Sequence, residues 1–388
     1  MVKLKIYSDL HIHIGSAQGK PIKITASKNL TVKNIIEESI RKGLNFIGLV
    51  DCLSPWVIGD LEKLMGQDIL YELPGGGLSY QDKLIIFLGA EVEVREGDGI
   101  AHTILYFPYL KSVKEASQKL SKYIKNISLG TQRCDLSSLD LLKFTEILGG
   151  IYVPAHVFTP FKSYYGNCTD RLERVFRSYF GKIYAIELGL SADSFLAGFI
   201  KELEDKIFFS NSDAHSLDNM AREYNLFYLD GLNFFNFINF LKNKSNVFLI
   251  ENYGFNPKLG KYHRSFCLSC NRIQLSQPPV LKCEFCGSSK MVLGVLDRIT
   301  IIKNNPFSKD NRKYNYRIPL HMIPGIGEKT IERLVNLFGS HIRILNEISY
   351  EDLKKSVGEK IARNIIKARK GEFEVLSGGG GYYGKLNF

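Results

Sequence analysis

Leu4-Lys5-Ile6-Tyr7-Ser8-Asp9-Leu10-His11-Ile12-His13 is an apolar run that ends in two imidazoles. Side chains alternate along a strand, so His11 and His13 share one face and can ligate one ion. The arrangement repeats downstream. Asp51 follows the apolar residues 46–50, Glu91 follows 84–90, and His102 precedes 103–107. His156 follows 151–155, Glu187 follows 183–186, and Asp213-Ala214-His215 follows 207–212. Every histidine of the first 257 residues lies in this pattern. Strands that close into a parallel barrel gather their carboxyl ends on one face, where ligands distant in sequence can converge. Any one of these residues alone reads as a capping or hydrogen-bonded group. The set, rich in His, Asp and Glu and free of cysteine, suits divalent ions that promote hydrolysis. Glu91 is the best candidate to bridge two such ions, and a close pair suits phosphoester hydrolysis.

Helical patterns separate the strands. Thr31 caps residues 32–42, which carry Ile35, Ile36 and Ile40 before Gly43 ends the helix. Further helices are expected at 113–125, 138–148, 169–180, 193–203 and 233–241. Near-continuous apolar strands alternating with helices predict an α/β fold, with a parallel sheet covered on both faces. The length fits a barrel of seven βα units. Residues 74–80, with Gly75-Gly76-Gly77, read as a loop and a candidate mobile lid.

At 388 residues the chain should hold two or three domains. No apolar run reaches the ~20 residues of a membrane span, and residues 1–10 are no signal peptide, so a cytoplasmic protein is expected. The net charge of +11 is uneven. Residues 1–257 carry 28 basic and 29 acidic side chains; residues 258–317 carry 12 and 3; residues 318–370 carry 10 and 6. A neutral catalytic part followed by polyanion-binding modules accounts for this, as would a merely solubilising surface.

Two motifs fall in the basic region. Cys267-x-x-Cys270 and Cys283-x-x-Cys286 can surround one structural Zn²⁺ in a zinc ribbon; two matched pairs without thioredoxin-like surroundings argue against a redox role. Cys52, Cys134 and Cys168 read as buried thiols. Ile323-Pro324-Gly325-Ile326-Gly327, followed by Lys329, resembles the hairpin of a helix-hairpin-helix, whose glycines let backbone N–H groups approach a phosphate. A weaker copy lies at Val357-Gly358-Glu359-Lys360. Gly325, Gly327, Lys329 and Lys360 are therefore the candidate DNA-backbone contacts, although a lone GxG can be an ordinary turn. Boundaries are expected near 256/257 and 317/318, with a Lys/Asn/Arg-rich linker at 303–315. A tail at 377–388 carries Gly378–Gly381 and Tyr382-Tyr383.

The barrel residues resemble the motifs of the polymerase-and-histidinol-phosphatase (PHP) superfamily over roughly residues 3–250. That resemblance implies a distorted (βα)7 barrel with two to three divalent ions (Zn, Mn or Mg). It places His11, His13, Glu91 and Asp213 on one ion and in catalysis, Glu91, His102 and His156 on a second, and His215 on a third. Asp51 is then a direct or an indirect ligand. Cys52 departs from the pattern, since many members have His there. The order barrel, four-cysteine module, helix-hairpin-helix and Gly/Tyr tail resembles the endonuclease Q family of DNA-repair enzymes, and Glu187-Leu188-Gly189-Leu190-Ser191-Ala192-Asp193 belongs to this resemblance. It implies cleavage 5′ to deaminated bases (uracil, hypoxanthine, xanthine) and abasic sites. A monomer is expected, with repair or replication proteins as candidate partners. Glu187, Asp193, Tyr382 and Tyr383 are candidates for the substrate pocket or its support. A small-molecule phosphoesterase, or a DNA-binding protein with a vestigial barrel, are the competing readings.

Overall fold

The apolar runs do form strands. In the computed structural model, which describes residues 3–308 and 312–387, the central sheet starts with β1 (Leu4–Ile12). It pairs in parallel with β2 (Phe46–Leu49), and β2 pairs in parallel with β3 (Leu84–Glu96). β4 (Gly99–Phe107) then runs back along β3, and β5 (Ile151–Pro154) pairs antiparallel with β4. The ring is completed by a parallel pair, β6 (Ala185–Glu187) and β7 (Ile207–Phe209), and by β8 (Tyr224–Leu229), antiparallel to β1.

Closure happens mainly at the carboxyl ends. Val157 donates its N–H to the Glu187 carbonyl, and Leu188 to that of Phe209. Ala214 bridges onto the end of β1: its N–H donates to the His11 carbonyl at 3.2 Å, and its carbonyl accepts the His13 N–H at 3.1 Å. Between β7 and β8 side-chain amides replace the ladder: Asn225 Oδ1 accepts from the Ser210 N–H and Asn252 donates to the Phe208 carbonyl, each at 2.8 Å.

The result is the expected distorted barrel, but not the expected uniformly parallel sheet. The two-residue turn Gly97-Asp98, with Gly97 at φ +57°, joins β3 to β4 and forces an antiparallel pair. The helices also differ. Helix α1 (Val32–Lys42) forms as read, with the Thr31 hydroxyl accepting from Asn34 N–H and Gly43 at φ +91°. Residues 169–180 hold only a short helix, Leu172–Phe176, before a 3-10 segment. Residues 193–203 break after Ser194–Ala197.

Aromatic side chains fill the barrel. Phe237 of helix α2 (Phe234–Lys242) plugs the amino end, its ring centroid 5.1–6.3 Å from those of Phe46, Phe87 and Phe227. Residues 74–80 are not a lid. Leu78–Tyr80 pair with the start of β3, and Gly77 donates to the Pro108 carbonyl at 2.8 Å. They therefore seal the end opposite the candidate ligands.

The segment at 303–315 is not a free linker either, although 309–311 lie outside the described residues. Asn304 and Asn305 donate to the Phe199 carbonyl, and the Arg312 guanidinium lies 3.8 Å over Phe208. Strand β9 (Glu251–Gly254) pairs with β10 (Lys313–Tyr316), which so extends the barrel sheet. The Cys-rich module is tied down by helix α3 (Val295–Ile302), from which Arg298 reaches the Tyr165 carbonyl and Asp170 at 2.7 Å each. The C-terminal helices, among them α4 (Glu328–Phe338) and α5 (Glu359–Lys370), surround their own core of Leu334, Leu353 and Ile365.

Because the Phe87 ring is fully buried among three other phenyl rings, Phe87→Ala should cost about 3–5 kcal/mol. Chemical denaturation followed by near-ultraviolet circular dichroism measures this, and a cost near zero would show that the barrel interior is loosely packed.

Candidate metal and nucleic-acid site

The candidate ligands from β1, β2, β5, β6 and β7 stand at or just beyond the carboxyl ends of their strands. Glu91 lies midway along the long β3, and His102 lies near the start of the antiparallel β4; the ring closure above draws them together. His11 and His13 have ring centroids 5.1 Å apart. Their Nδ1 atoms are engaged from behind, His11 by Glu187 Oε2 at 2.9 Å and His13 by Asp51 Oδ2 at 3.0 Å. Asp51 Oδ2 also accepts the Ile14 N–H at 2.7 Å. A carboxylate at Nδ1 holds the proton there and turns the Nε2 lone pair inward. Both Nε2 atoms are buried without a hydrogen-bond partner. They face carboxylates instead: His13 Nε2 is 3.4 Å from both Glu91 Oε2 and Asp213 Oδ1, and His11 Nε2 is 3.5 Å from Asp213 Oδ1.

Glu91 divides its two oxygens between two groups. Oε1 faces His102 Nδ1 at 2.7 Å and His156 Nε2 at 3.2 Å, while Oε2 faces His13. Three clusters with ligand atoms within 4.8 Å of one another result: His11, His13 and Glu91; Glu91, His102 and His156; and His13, Asp213 and His215. Buried, unpartnered imidazole nitrogens set among carboxylate oxygens form a donor set that fits divalent ions. Electrostatics agree. Burial disfavours protonated His11, yet Glu187, Asp213 and Glu91 outweigh it and lift its pKa to about 9. Burial would raise the pKa of Glu91 and Asp213, but the surrounding His102 and Lys23, and His11 and His13, hold both well below the usual carboxylate range. The site thus stores negative potential for a positive occupant. His156 and Asp213 also carry left-handed backbone, φ +29° and +46°, the kind of strain that accumulates at functional sites.

Asp51 and Glu187 therefore stand behind the imidazoles as orienting groups. Cys52 points away, its thiol toward the Leu49 carbonyl in the core. Asp193 is not in the pocket: its Oδ1 caps the helix at Leu196 and its Oδ2 accepts from Tyr316. Several site residues escaped the sequence reading. Lys23 reaches Glu91 Oε2 at 3.3 Å, and Thr131 donates to the same oxygen at 2.6 Å. Glu93, beside His102, is paired with Arg133 and Lys162. Lys23, Thr131 and Lys162 lie on loops and Arg133 on a two-residue strand, so none carries a spacing signal that could have found it.

The cluster floors a cavity of roughly 630 Å³. Its rim gathers Lys162, Arg222, Lys261, Phe161, Tyr262 and Tyr383. Tyr383 OH lies 3.3 Å from Arg222, whose Nε donates to the Ser212 carbonyl beside Asp213. Tyr382 instead is largely exposed and packs near Phe266, because the Gly378–Gly381 loop is pinned to residues 258–264 by backbone bonds.

The four module cysteines also converge. Cys267 and Cys286 sulfurs are 3.7 Å apart and those of Cys270 and Cys283 3.5 Å; four sulfurs about 2.3 Å from one zinc stand ~3.8 Å apart. In the helical module Gly325 has φ +88°, and Gly327 and Gly358 each begin a helix. Gly325, Gly327, Lys329 and Lys360 are all exposed. Asn364 of the second helix bonds the Pro324 carbonyl at 3.0 Å and holds the two hairpins together.

No known family profile matches the sequence. YqxK of Bacillus subtilis, itself uncharacterised, is 39% identical over 388 residues, spanning 98% of this chain and 99% of its own. The uncharacterised MJ0043 of Methanocaldococcus jannaschii is 35% identical over 251 residues, 60% of this chain and 31% of that one. Among solved structures, the lesion-specific endonuclease PfuEndoQ of Pyrococcus furiosus superimposes with a TM-score of 0.83 at 31% identity, covering 99% of this chain and 96% of its own. Endonuclease Q bound to a 27-mer duplex with an abasic lesion at the active site superimposes at 0.82, with 30% identity and 99% and 97% coverage. A likeness of that extent, over barrel, cysteine module, helices and tail alike, means that the chain belongs to the endonuclease Q family of metal-dependent DNA-repair endonucleases.

Proposed function

We propose that the enzyme nicks the strand 5′ to deaminated bases and abasic sites, with His11, His13, Glu91, His102, His156, Asp213 and His215 holding two or three divalent ions. The observation that carries this reading is Glu91: one buried carboxylate offering an oxygen to each of two histidine groups on the floor of a single cavity. When bound, such ions polarise the phosphodiester and make water nucleophilic near neutral pH. The protein residues supply the geometry. Glu187 and Asp51 fix the tautomers of His11 and His13. The cavity is large enough to receive a nucleotide turned out of the helix, an extrusion that costs least where pairing is already weak. Tyr383, Tyr262 and Phe161 at its rim offer faces and edges to a base, and Lys162, Lys261 and Arg222 offer positive charge to the flanking phosphates. The four-cysteine cluster suits structural zinc, and the hairpins around Gly325, Gly327, Lys329 and Lys360 suit sequence-independent phosphate contacts. A small-molecule phosphoesterase would leave the basic ribbon and hairpins without a task.

A lesion panel tests the substrate. With Mn²⁺, labelled duplexes carrying uracil, hypoxanthine, xanthine or an abasic site should be nicked on the 5′ side, leaving a 3′-hydroxyl and a 5′-phosphate. G·U should be cut and G·T left intact, since easy opening is common to both and only a pocket can reject the thymine methyl. Equal nicking of G·T and G·U would mean mismatch recognition, and release of free uracil would mean glycosylase chemistry.

The ligand assignment is tested separately. His11→Ala, Glu91→Ala and Asp213→Ala should each reduce cleavage to background, lower the barrel's metal content and weaken DNA binding only modestly. Full activity in any two, with unchanged metal content, contradicts the assignment.

Grip on DNA should come from the C-terminal parts. Cys283→Ser should weaken binding with the barrel still folded, and Gly325→Val, strained at φ +88°, should weaken lesion and undamaged DNA about equally. Binding of the unmodified enzyme should fall with salt at a log–log slope of about −0.9 per phosphate neutralised. A fluorescence-anisotropy salt titration that is flat would remove the electrostatic account.

A further inference from the structure

We propose that Lys23 is a catalytic residue, placing its ammonium against the scissile phosphate as a fixed positive charge beside the ions. This rests on the reading of the barrel as a phosphodiester-cleaving centre. Lys23 is the only lysine among the described residues whose ammonium contacts Glu91. Its side chain is 14% exposed and lines the cavity that holds the histidine cluster.

The loop that carries Lys23 is folded back over the site and held at both ends. Gly15 donates to the Leu30 carbonyl at 2.8 Å, Lys23 to the Ile14 carbonyl at 3.0 Å, and Ser27 to the carbonyl of the candidate ligand His215 at 2.8 Å. A Cβ at Gly15 would fall 1.8 Å from the Ser27 carbonyl oxygen, so the close return needs glycine. On the far side Gly130 donates to the Ile22 carbonyl at 3.0 Å, which sets Thr131 beside the ammonium. Lys23 Nζ donates to Thr131 Oγ1 and to Glu91 Oε2. An ammonium has three donors, and the third meets no protein acceptor among the described residues on the cavity side.

The charge balance gives this donor a purpose. Asp51, Glu91, Glu187 and Asp213 carry four negative charges around His11 and His13. Glu93 is already paired with Arg133 and Lys162. With two divalent ions bound the four carboxylates would be balanced, so Lys23 would supply the net positive charge toward a phosphodiester; a third ion would add to that charge. The single charge of Lys23 matches the single charge of that group. A buried cation next to a multi-ion centre is otherwise unfavourable, because it repels the ions it borders. A purely structural role, in which Lys23 neutralises and steadies Glu91, is the competing account. The two differ in how they depend on metal.

The experiment uses full-length enzyme, an abasic-site duplex, and Lys23→Met, Lys23→Gln and Lys23→Arg. Single-turnover cleavage at saturating DNA, barrel metal content and melting temperature are measured, each across a Mn²⁺ titration. A fixed donor removed from a developing charge typically costs about 10²–10³-fold in rate. Lys23→Met and Lys23→Gln should fall by that much with metal content unchanged, and excess Mn²⁺ should not restore them. Lys23→Arg, which keeps the charge, should recover most of the loss. A Lys23→Gln rate within about threefold of the unmodified enzyme, or recovery of either neutral variant on adding Mn²⁺, would overturn the proposal; the latter assigns Lys23 to holding Glu91. If Lys23→Met melts early, the comparison of Gln with Arg decides. Failure of the unmodified enzyme to cut the abasic duplex at all would instead refute the reading of the barrel on which this rests.

Discussion

Two buried imidazole nitrogens with nothing to bond but carboxylates organise this molecule. Only carboxylates face these nitrogens of His11 and His13, and an unpartnered buried polar atom costs on the order of 1–3 kcal/mol, so the arrangement favours a cation in the space between them, as the proposed function requires. Every element near the carboxyl ends serves this arrangement. Glu187 and Asp51 hold the outward nitrogens, Glu91 shares itself between two histidine groups, and the Ala214 bridge to β1 brings Asp213 across the ring. The left-handed backbone at His156 and Asp213 is the conformational cost of aiming those side chains inward.

The clustering of the candidate ligands was legible because strand periodicity and strand-end placement are one-dimensional properties. An imidazole that follows four or five apolar residues needs no tertiary information to be noticed. Indirect roles were not legible. Asp51 and Glu187 sit at strand ends just as His156 does, and only distance reveals that they stand behind imidazoles. Asp193 shares the Glu187 segment, yet a single turn of backbone sends it to cap Leu196 and meet Tyr316. Lys23 and Thr131 lie on loops whose return paths depend on Gly15 and Gly130, and a loop path has no period to read.

Strand direction was misread for a related reason. The run 103–107 looks like any other core strand, and what reverses it is Gly97-Asp98, a turn of two residues in the stretch between the runs 84–90 and 103–107. Likewise the basic residues at 303–315 have the composition of a linker. The Arg312 guanidinium is nonetheless stacked on Phe208, where a planar cation with an apolar face tolerates burial that composition alone would discount.

The tail makes the molecule more than a catalytic barrel with tethered DNA-binding modules. Gly380 has φ +63°, and a Cβ there would lie 2.3 Å from the Phe266 ring, next to Cys267 of the cysteine cluster. Gly378 donates to the Lys258 carbonyl and Gly384 to that of Leu259. This glycine loop therefore presses on the cysteine module and the barrel's exit segment together, and delivers Tyr383 to Arg222 beside Asp213. Under the proposed function, this seam would set the distance between the hairpin and cysteine-module surfaces and the cavity floor. Phosphate contacts alone carry no base information, but at a fixed distance they decide which nucleotide of a bound duplex lies over the cavity. Under the same proposal, lesion selection would be divided between a grip indifferent to sequence and a pocket that admits only a base able to leave the stack.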